Sequence, residues 1–397
     1  MRFKAAFLVT RSGEGVIGIG DCIVIAFDDK GDAGRMKCIV IDGGYSQTEK
    51  VLKSYLDGEG IAIVDLVVAT HIDDDHINGL KAFFAKHVEN DGPIKVLNYW
   101  GPAPKGYEPV TITEFLTMLP EVNDLGIAEL SFNSQSVDSN EKLWESAKRC
   151  VGEDHIWHPS VEGSGNLPDL FESVRIEILA PDKQVPSLDI KSAAVAARAL
   201  EEALLSDAAI DLNDKRLRNT ILRAAKESDR TANNQSIVFR LTPVDDDGRE
   251  IRDFSFLFPG DAELESWNRM IQGDTGRLTA THLKISHHGS STGTSEAVLD
   301  AVRPKYGIIC AGKNKHGLPD GAVFKLLQEK NVKIICTGRN PDTGDIPCAR
   351  RAYRNKCPRW DVARSREIGN PAIFEIDTNQ LPAATFPAAR FCGNDWR

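Results

Sequence analysis

The chain has 397 residues, 41% of them apolar and 27% charged, the balance of a folded globular protein and not of a disordered one. Its formal net charge is −10, from 48 basic and 58 acidic residues, which argues against wholesale coating of nucleic acid but leaves room for local basic patches. No run of about 18 apolar residues occurs, so neither a transmembrane helix nor a membrane partner is expected. The opening stretch Met1–Val9 has too short an apolar core for an export signal, and a cytoplasmic protein is expected. Its eight cysteines then read as free thiols, many of them buried. Cys336, Cys348, Cys357 and Cys392 are close enough in sequence for a structural zinc, but their spacing matches no common template.

Residues Phe3–Thr10, Asp21–Asp28 and Met36–Ile41 read as strands, rich in Val, Ile and Phe, with glycine-rich turns at Gly13–Gly20 and Asp42–Gly44. Thr48–Leu56 reads as a short helix. Ala62–Ala69 follows as a strand that is apolar except at Asp65, as a sheet covered on both faces requires. From about 100 to 170 the pattern loosens, and Phe171–Leu179 is the next strand. Lys191–Leu205 is an Ala/Leu/Glu helix former and Arg216–Lys226 a second one. Strand-like sequence resumes at Ser236–Leu241, so about 185–230 reads as a helical insertion and not as a separate domain. Strands at Phe254–Phe258, Leu283–Ser286, Tyr306–Cys310 and Lys333–Cys336 then alternate with helices at Ala262–Ile271, Ser295–Val302 and Pro319–Lys330. No fixed-period repeat interrupts this order.

The chemistry begins where the strand Ala62–Ala69 ends, at Thr70-His71-Ile72-Asp73-Asp74-Asp75-His76. A solvated acidic turn is the bland reading. Gathering such carboxylates beside a buried strand costs several kcal/mol unless a cation neutralises them, and a strand-end loop can aim alternate side chains at one centre. The sequence therefore points to a metal. Asp42 precedes two glycines on a tight turn, where an Asx-turn explains it equally well. Asp261 ends an apolar strand and is either a helix N-cap or a ligand. His287 and His288 also follow a strand, and the sequence leaves open which of them coordinates, with the preference on His287.

The segment from His71 to His76 resembles the His-x-His-x-Asp-His signature of the metallo-β-lactamase superfamily, with Asp73 in place of the second histidine. Within that superfamily the chain resembles the soluble hydrolase domain of the DNA-uptake channel protein ComEC and its free-standing relatives. Gly18-Ile-Gly-Asp21, Asp42-Gly43-Gly44, Asn233-Asn-Gln-Ser236, Gly260-Asp261 and Lys284-Ile-Ser-His287-His288-Gly289-Ser290 stand in the family's order. Asn314-Lys315-His316-Gly317-Leu318-Pro319 departs from it: Leu318 stands where a histidine is expected, and His316 is two residues early. The resemblance covers about 1–100 and 230–340.

It implies an αββα sandwich over 1–340, carrying the helical insertion, with 341–397 as a basic extension packed on it. It implies two divalent metal ions held by His71, Asp73, Asp75, His76, Asp261 and His287 or His288, with Asp42, Ser290 and His316 behind them. Asp73 makes the centre richer in oxygen, which shifts the expected ion from zinc alone toward manganese or magnesium. The activity implied is hydrolysis of a phosphodiester in DNA or RNA by metal-activated hydroxide, with Asp75 or Asp73 orienting water and Lys313 neutralising charge on the phosphate. Arg350, Arg351, Arg354 and Arg359, interleaved with Tyr353 and Trp360, suit a nucleic-acid track, and equally a solvated surface or a contact with a protein partner or second copy. Two other readings stand beside this one. The first is hydrolysis of a small ester, lactone or cyclic nucleotide. The second is a degenerate, non-catalytic component of a larger system.

Overall fold

The computed structural model describes residues 1–13, 16–102, 104, 127–182, 232–312, 314, 316–337 and 372–377. The helical insertion, Lys313 and the four arginines from 350 to 359 lie outside these residues. Two sheets dominate. The first orders its seven strands Ile156–Trp157, Tyr99–Trp100, Leu66–Val68, Asp32–Ile41, Ile23–Asp29, Arg2–Phe7 and Ala372–Asp377. The second orders six: Val174–Ala180, Val238–Pro243, Phe256–Phe258, His282–Lys284, Tyr306–Ile309 and Lys333–Cys336.

Alternation along the strands makes the layers. Phe3, Ala5, Phe7, Ile23, Ile25, Phe27, Ile39 and Ile41 face Ile237, Phe239, Leu241, Phe256, Phe258 and Ile308 in one core between the sheets. The intervening residues Ala6, Val24, Val40 and Val67 turn outward onto Leu52, Leu56, Ile77, Leu80, Phe83 and Leu143, from the helices Thr48–Gly58, Asp74–Phe83 and Ile127–Val151. Val238, Leu257, Leu283 and Ile309 do the same on the second sheet, against Trp267, Val298, Leu299, Phe324 and Leu327. The fold is thus a four-layered αββα sandwich. Each buried Ile or Phe contributes about 1.5–3 kcal/mol, and a one-residue slip would turn a whole row outward, so register is strongly fixed.

Several elements differ from the sequence reading. The expected continuous strand Ala62–Ala69 is two short strands, Ile63–Val64 and Leu66–Val68. Asp65 divides them, because its carboxylate takes bonds from Arg35 at 2.6 and 2.7 Å and from the Cys38 amide at 2.9 Å. The loosely patterned stretch contains the helix Ile127–Val151. The C-terminal extension contributes Ala372–Asp377 as an edge strand, antiparallel to Arg2–Phe7. No helix among the described residues is long and apolar enough to cross a membrane.

His282 sits inside the core, stacked between Phe256 at 4.2 Å and Tyr306 at 4.9 Å, while Nδ1–H donates to the Ser255 carbonyl at 3.1 Å. Burial pushes its pKa down to about 3, against the Ser255 bond. Below the unfolded value of about 6.5 the unfolded chain therefore gains a proton that the folded chain refuses, and stability falls with pH until about 3. Denaturant unfolding in chelator should show His282→Phe losing less stability than wild type between pH 6.5 and 5, by about 1.4 kcal/mol per pH unit. Parallel pH profiles would show that His282 does not carry this dependence.

Candidate metal centre

Five loops meet at one end of the sandwich. Asp21 precedes the strand Ile23–Asp29, Asp42 follows Asp32–Ile41, and Thr70–His76 follows Leu66–Val68. Asp261 and His287–His288 leave the strands Phe256–Phe258 and His282–Lys284. The loops interlock through the backbone: Gly43 N donates to His76 O and Gly79 N to Gly44 O, both at 2.7 Å, and Ile237 N donates to Thr70 O at 2.8 Å. Gly79 allows this closeness, since a Cβ there would stand 1.8 Å from the Gly43 carbonyl oxygen. Asp42, His287 and His288 are non-glycine residues at φ 54°, 47° and 52°, the left-handed region that clusters at functional turns.

Three imidazoles point the same nitrogen inward. Asp42 Oδ2 accepts from His76 Nδ1 at 2.9 Å, and the Cys310 carbonyl accepts from His288 Nδ1 at 3.0 Å. Thr70 donates its hydroxyl to Asp42 Oδ2 at 2.7 Å, so its oxygen accepts from His71 Nδ1 at 3.0 Å. These partners hold a proton on Nδ1 in each ring and direct each Nε2 to the centre, where it would offer its lone pair to a metal on losing its own proton, the arrangement of metal-binding histidines. His76 Nε2 lies 3.2 Å from His288 Nε2 and 3.4 Å from Asp261 Oδ2. His288 Nε2 lies 3.0 Å from Asp261 Oδ2 and 3.2 Å from Asp75 Oδ2. His71 Nε2 is buried with no hydrogen-bond partner, and Asp73 Oδ2 is 3.6 Å from it.

Charge accumulates here. Asp21, Asp42 and Asp261 are buried, with Asp75 partly exposed at the rim. Among the described residues the matching lysine is Lys284, buried and held at 2.6 Å from Asp21 Oδ2 and 2.9 Å from Asp261 Oδ1. Burial pushes the His76 pKa down, but Asp261, Asp42, Asp75 and Asp21 override it and raise it well above the ordinary value. The same opposition, with Asp261 the strongest partner, brings His288 up to about 9. Desolvation raises Asp261, yet His288 and Lys284 hold it well below the usual carboxylate range. The pocket demands cations.

The residues fit a divalent metal. His71/His76/Asp261, Asp75/His76/His288 and Asp21/Asp42/His76 are three donor sets, each with ligand atoms within 4.8 Å of one another. The inward Nε2 atoms, the orphaned His71 Nε2 among them, and the carboxylates beside them offer nitrogen and oxygen donors of the kind a divalent metal ion takes.

Of the two adjacent histidines, His288 enters the cluster and His287 does not share its position. His287 Nε2 is 4.0 Å from Asp261 Oδ2, and its ring, about a quarter exposed, meets Thr292 at 3.2 Å and Glu263 at 3.6 Å. The sequence preference is for His287, whereas His288 is the one whose Nε2 lies among the other donors; both residues occupy the left-handed region. Asp261 does not cap the next helix, which starts at Leu264 behind Glu263. The Ser290 hydroxyl meets Thr292 Oγ1 at 2.9 Å. His316 is exposed on the turn organised by Asn314, whose Oδ1 accepts from the amides of His316 and Leu318 at 3.0 Å. Sequence reasoning passed over the Asp21–Lys284 pair. Both stood within the quoted motifs, and a lysine in an otherwise apolar strand was the available signal.

Residues 17–126 match the family description "Metallo-beta-lactamase superfamily". That segment contains the His71–His76 motif, and the fold brings Asp261 and His288, which lie outside it, to the same place. ComE operon protein 3 of Bacillus subtilis (strain 168) is 29% identical over 143 residues, which is 36% of this chain and 17% of that protein. Among solved structures, a Thermotoga maritima protein assigned to the metallo-β-lactamases aligns at 15% identity and TM-score 0.23, over 44% of this chain and 66% of that one. A long form RNase Z from yeast aligns at 11% identity and TM-score 0.39, over 85% and 41%. Neither structural likeness bears on function at these scores.

The purified protein is expected to contain or take up divalent metal, and Asp75→Ala with His76→Ala to lose it while staying folded, as read by elemental analysis and circular dichroism. Undiminished metal in the folded double variant would place the ion elsewhere. Gly79→Ala touches no donor, yet should cost about 1–3 kcal/mol by overpacking against the Gly43 carbonyl and should weaken metal uptake. Unchanged stability and uptake would show that the loop contact is slack.

Proposed function

We propose that the chain is a metal-dependent phosphodiesterase acting on nucleic acid. The observation that carries this reading is the mixed donor set: three inward imidazole nitrogens with the carboxylates of Asp75 and Asp261, and Asp73 beside them. His71, Asp73, Asp75, His76, Asp261 and His288 would hold one or two divalent ions, manganese or zinc, with magnesium the harder alternative. When bound there, such an ion acts as a Lewis acid toward a phosphoryl oxygen and lowers the pKa of water to near neutrality.

The protein's own groups do the rest. Asp42, Thr70 and the Cys310 carbonyl fix the three rings, so that little reorganisation accompanies reaction. Asp73 and Asp75 are each about 15% exposed, and from that rim either carboxylate can orient an attacking water and accept its proton. The oxygen-rich character of the set favours phosphate chemistry over a purely nitrogen-liganded zinc site. Support for a polymeric substrate comes from Arg350, Arg351, Arg354 and Arg359, which would track a phosphate backbone.

Two experiments test this. A screen of Mn²⁺, Mg²⁺ and Zn²⁺ against single- and double-stranded DNA and RNA should show most turnover with manganese, and Asp73→His should shift the preference toward zinc. Turnover of lactones or simple esters with none of phosphodiesters would contradict the reading. Replacing the four arginines with alanine should flatten the salt dependence of nucleic-acid binding, each lost contact removing about 0.7–0.9 from the log–log slope. Hydrolysis of a small chromogenic phosphodiester should stay near wild type in that variant. An unchanged slope would remove the polymer from the proposal.

A further inference from the structure

Lys284 lies in a strand of the second sheet and is about 1% exposed, an expensive place for an ammonium unless every proton is used. Every proton is used. Nζ donates to the Gly260 carbonyl at 2.7 Å and to Asp261 Oδ1 at 2.9 Å, and it lies 2.6 Å from Asp21 Oδ2. The other oxygen of the same carboxylate, Asp261 Oδ2, is the one that faces His288 Nε2 at 3.0 Å and His76 Nε2 at 3.4 Å. Gly260 sits at φ +55°, and a Cβ there would crowd Thr70 Oγ1 at 2.9 Å, so the chain that presents this carbonyl and the adjacent Asp261 has little freedom.

We propose that Lys284 is a positioning residue of the metal centre: its ammonium clamps Asp261 Oδ1 and thereby presents Oδ2 alone to the ion, with Asp21 as the counter-charge that keeps the clamp in place. The inference rests on the metal-centre reading above. A carboxylate with both oxygens free would rotate, chelate with both, or drift toward the neighbouring imidazoles. With one oxygen tied, Asp261 has a single lone-pair-bearing edge facing the rings, and the coordination geometry is set before the ion arrives. A plain core brace is the competing account, in which Lys284 only neutralises Asp21 and Asp261.

The two accounts separate when charge is held constant and only the hydrogen-bond donor is varied. Asp21→Asn combined with Lys284→Met removes one negative and one positive charge, and with them the clamp. Asp21→Asn combined with Lys284→Gln removes the same charges but keeps an amide N–H donor on the same side chain, one atom closer to the backbone than Nζ. Mn²⁺ binding by calorimetry, on protein shown folded by near-ultraviolet circular dichroism in chelator, should be at least tenfold weaker in the methionine variant than in the glutamine variant, which shares its Asp21→Asn change. Equal affinities in the two variants would overturn the proposal and leave the brace. Should the methionine variant fail to fold, Asp21→Asn combined with Lys284→Leu takes its place in the same comparison, and equal affinity in that variant and the glutamine variant overturns the clamp. A wild-type protein that binds no Mn²⁺, Zn²⁺ or Mg²⁺ would instead sink the metal-centre reading itself, a result distinguishable from either outcome.

Discussion

The carboxylates of Asp21, Asp42 and Asp261 are buried together at one end of a sandwich whose central core is mostly apolar. Two like charges about 4 Å apart repel by about 4 kcal/mol at an effective dielectric of about 20, and a whole domain is stable by only about 5–15 kcal/mol. Nothing in the packing compensates for that. Compensation comes from Lys284, from the hydrogen bonds to Thr70 and His76, and from the positive charge the imidazoles are driven to carry or to share with a metal. The rest of the site follows from this constraint. The loops interlock through glycine-permitted contacts because the carboxylates must be held against repulsion, and the imidazoles turn Nε2 inward because their Nδ1 protons are already engaged.

The sandwich supplies the rigidity. Each site loop is anchored in a strand whose side chains are fixed in the central core: Ile39 and Ile41 before Asp42, Leu66 and Val68 before Thr70, Phe256 and Phe258 before Asp261. His282 and Lys284 share one strand, and they show the two ways this interior treats a basic group. His282 is kept neutral by desolvation, while Lys284 stays charged because two carboxylates and a carbonyl surround it. The candidate site is built at the strand ends, where backbone in the left-handed region is held by the surrounding contacts.

Much of this was legible in the sequence, for local reasons. The alternating Ile23–Ile25–Phe27 row, the strand before Thr70 and the dense His71–His76 loop encode their roles within a few residues. What stayed hidden depends on distance or on backbone angle. Asp21 and Lys284 are far apart in the chain, and no local pattern says that they meet. The identity of the inward histidine rests on consecutive left-handed residues, which spacing does not specify. The edge strand Ala372–Asp377 is short and follows a run of arginines, so its pairing with Arg2–Phe7 is set by a free sheet edge and not by its own composition. Asp65 divided an apparently uniform strand through a partner, Arg35, that lies on a different strand.

Anomalous diffraction at the manganese edge, from crystals grown with Mn²⁺, addresses the central claim most directly. The account predicts density for an ion within about 2.0–2.6 Å of His76 Nε2, His288 Nε2 and Asp261 Oδ2, with Lys284 still bonded to Asp261 Oδ1. Manganese bound elsewhere, with those three side chains hydrogen-bonded only to one another, would contradict it.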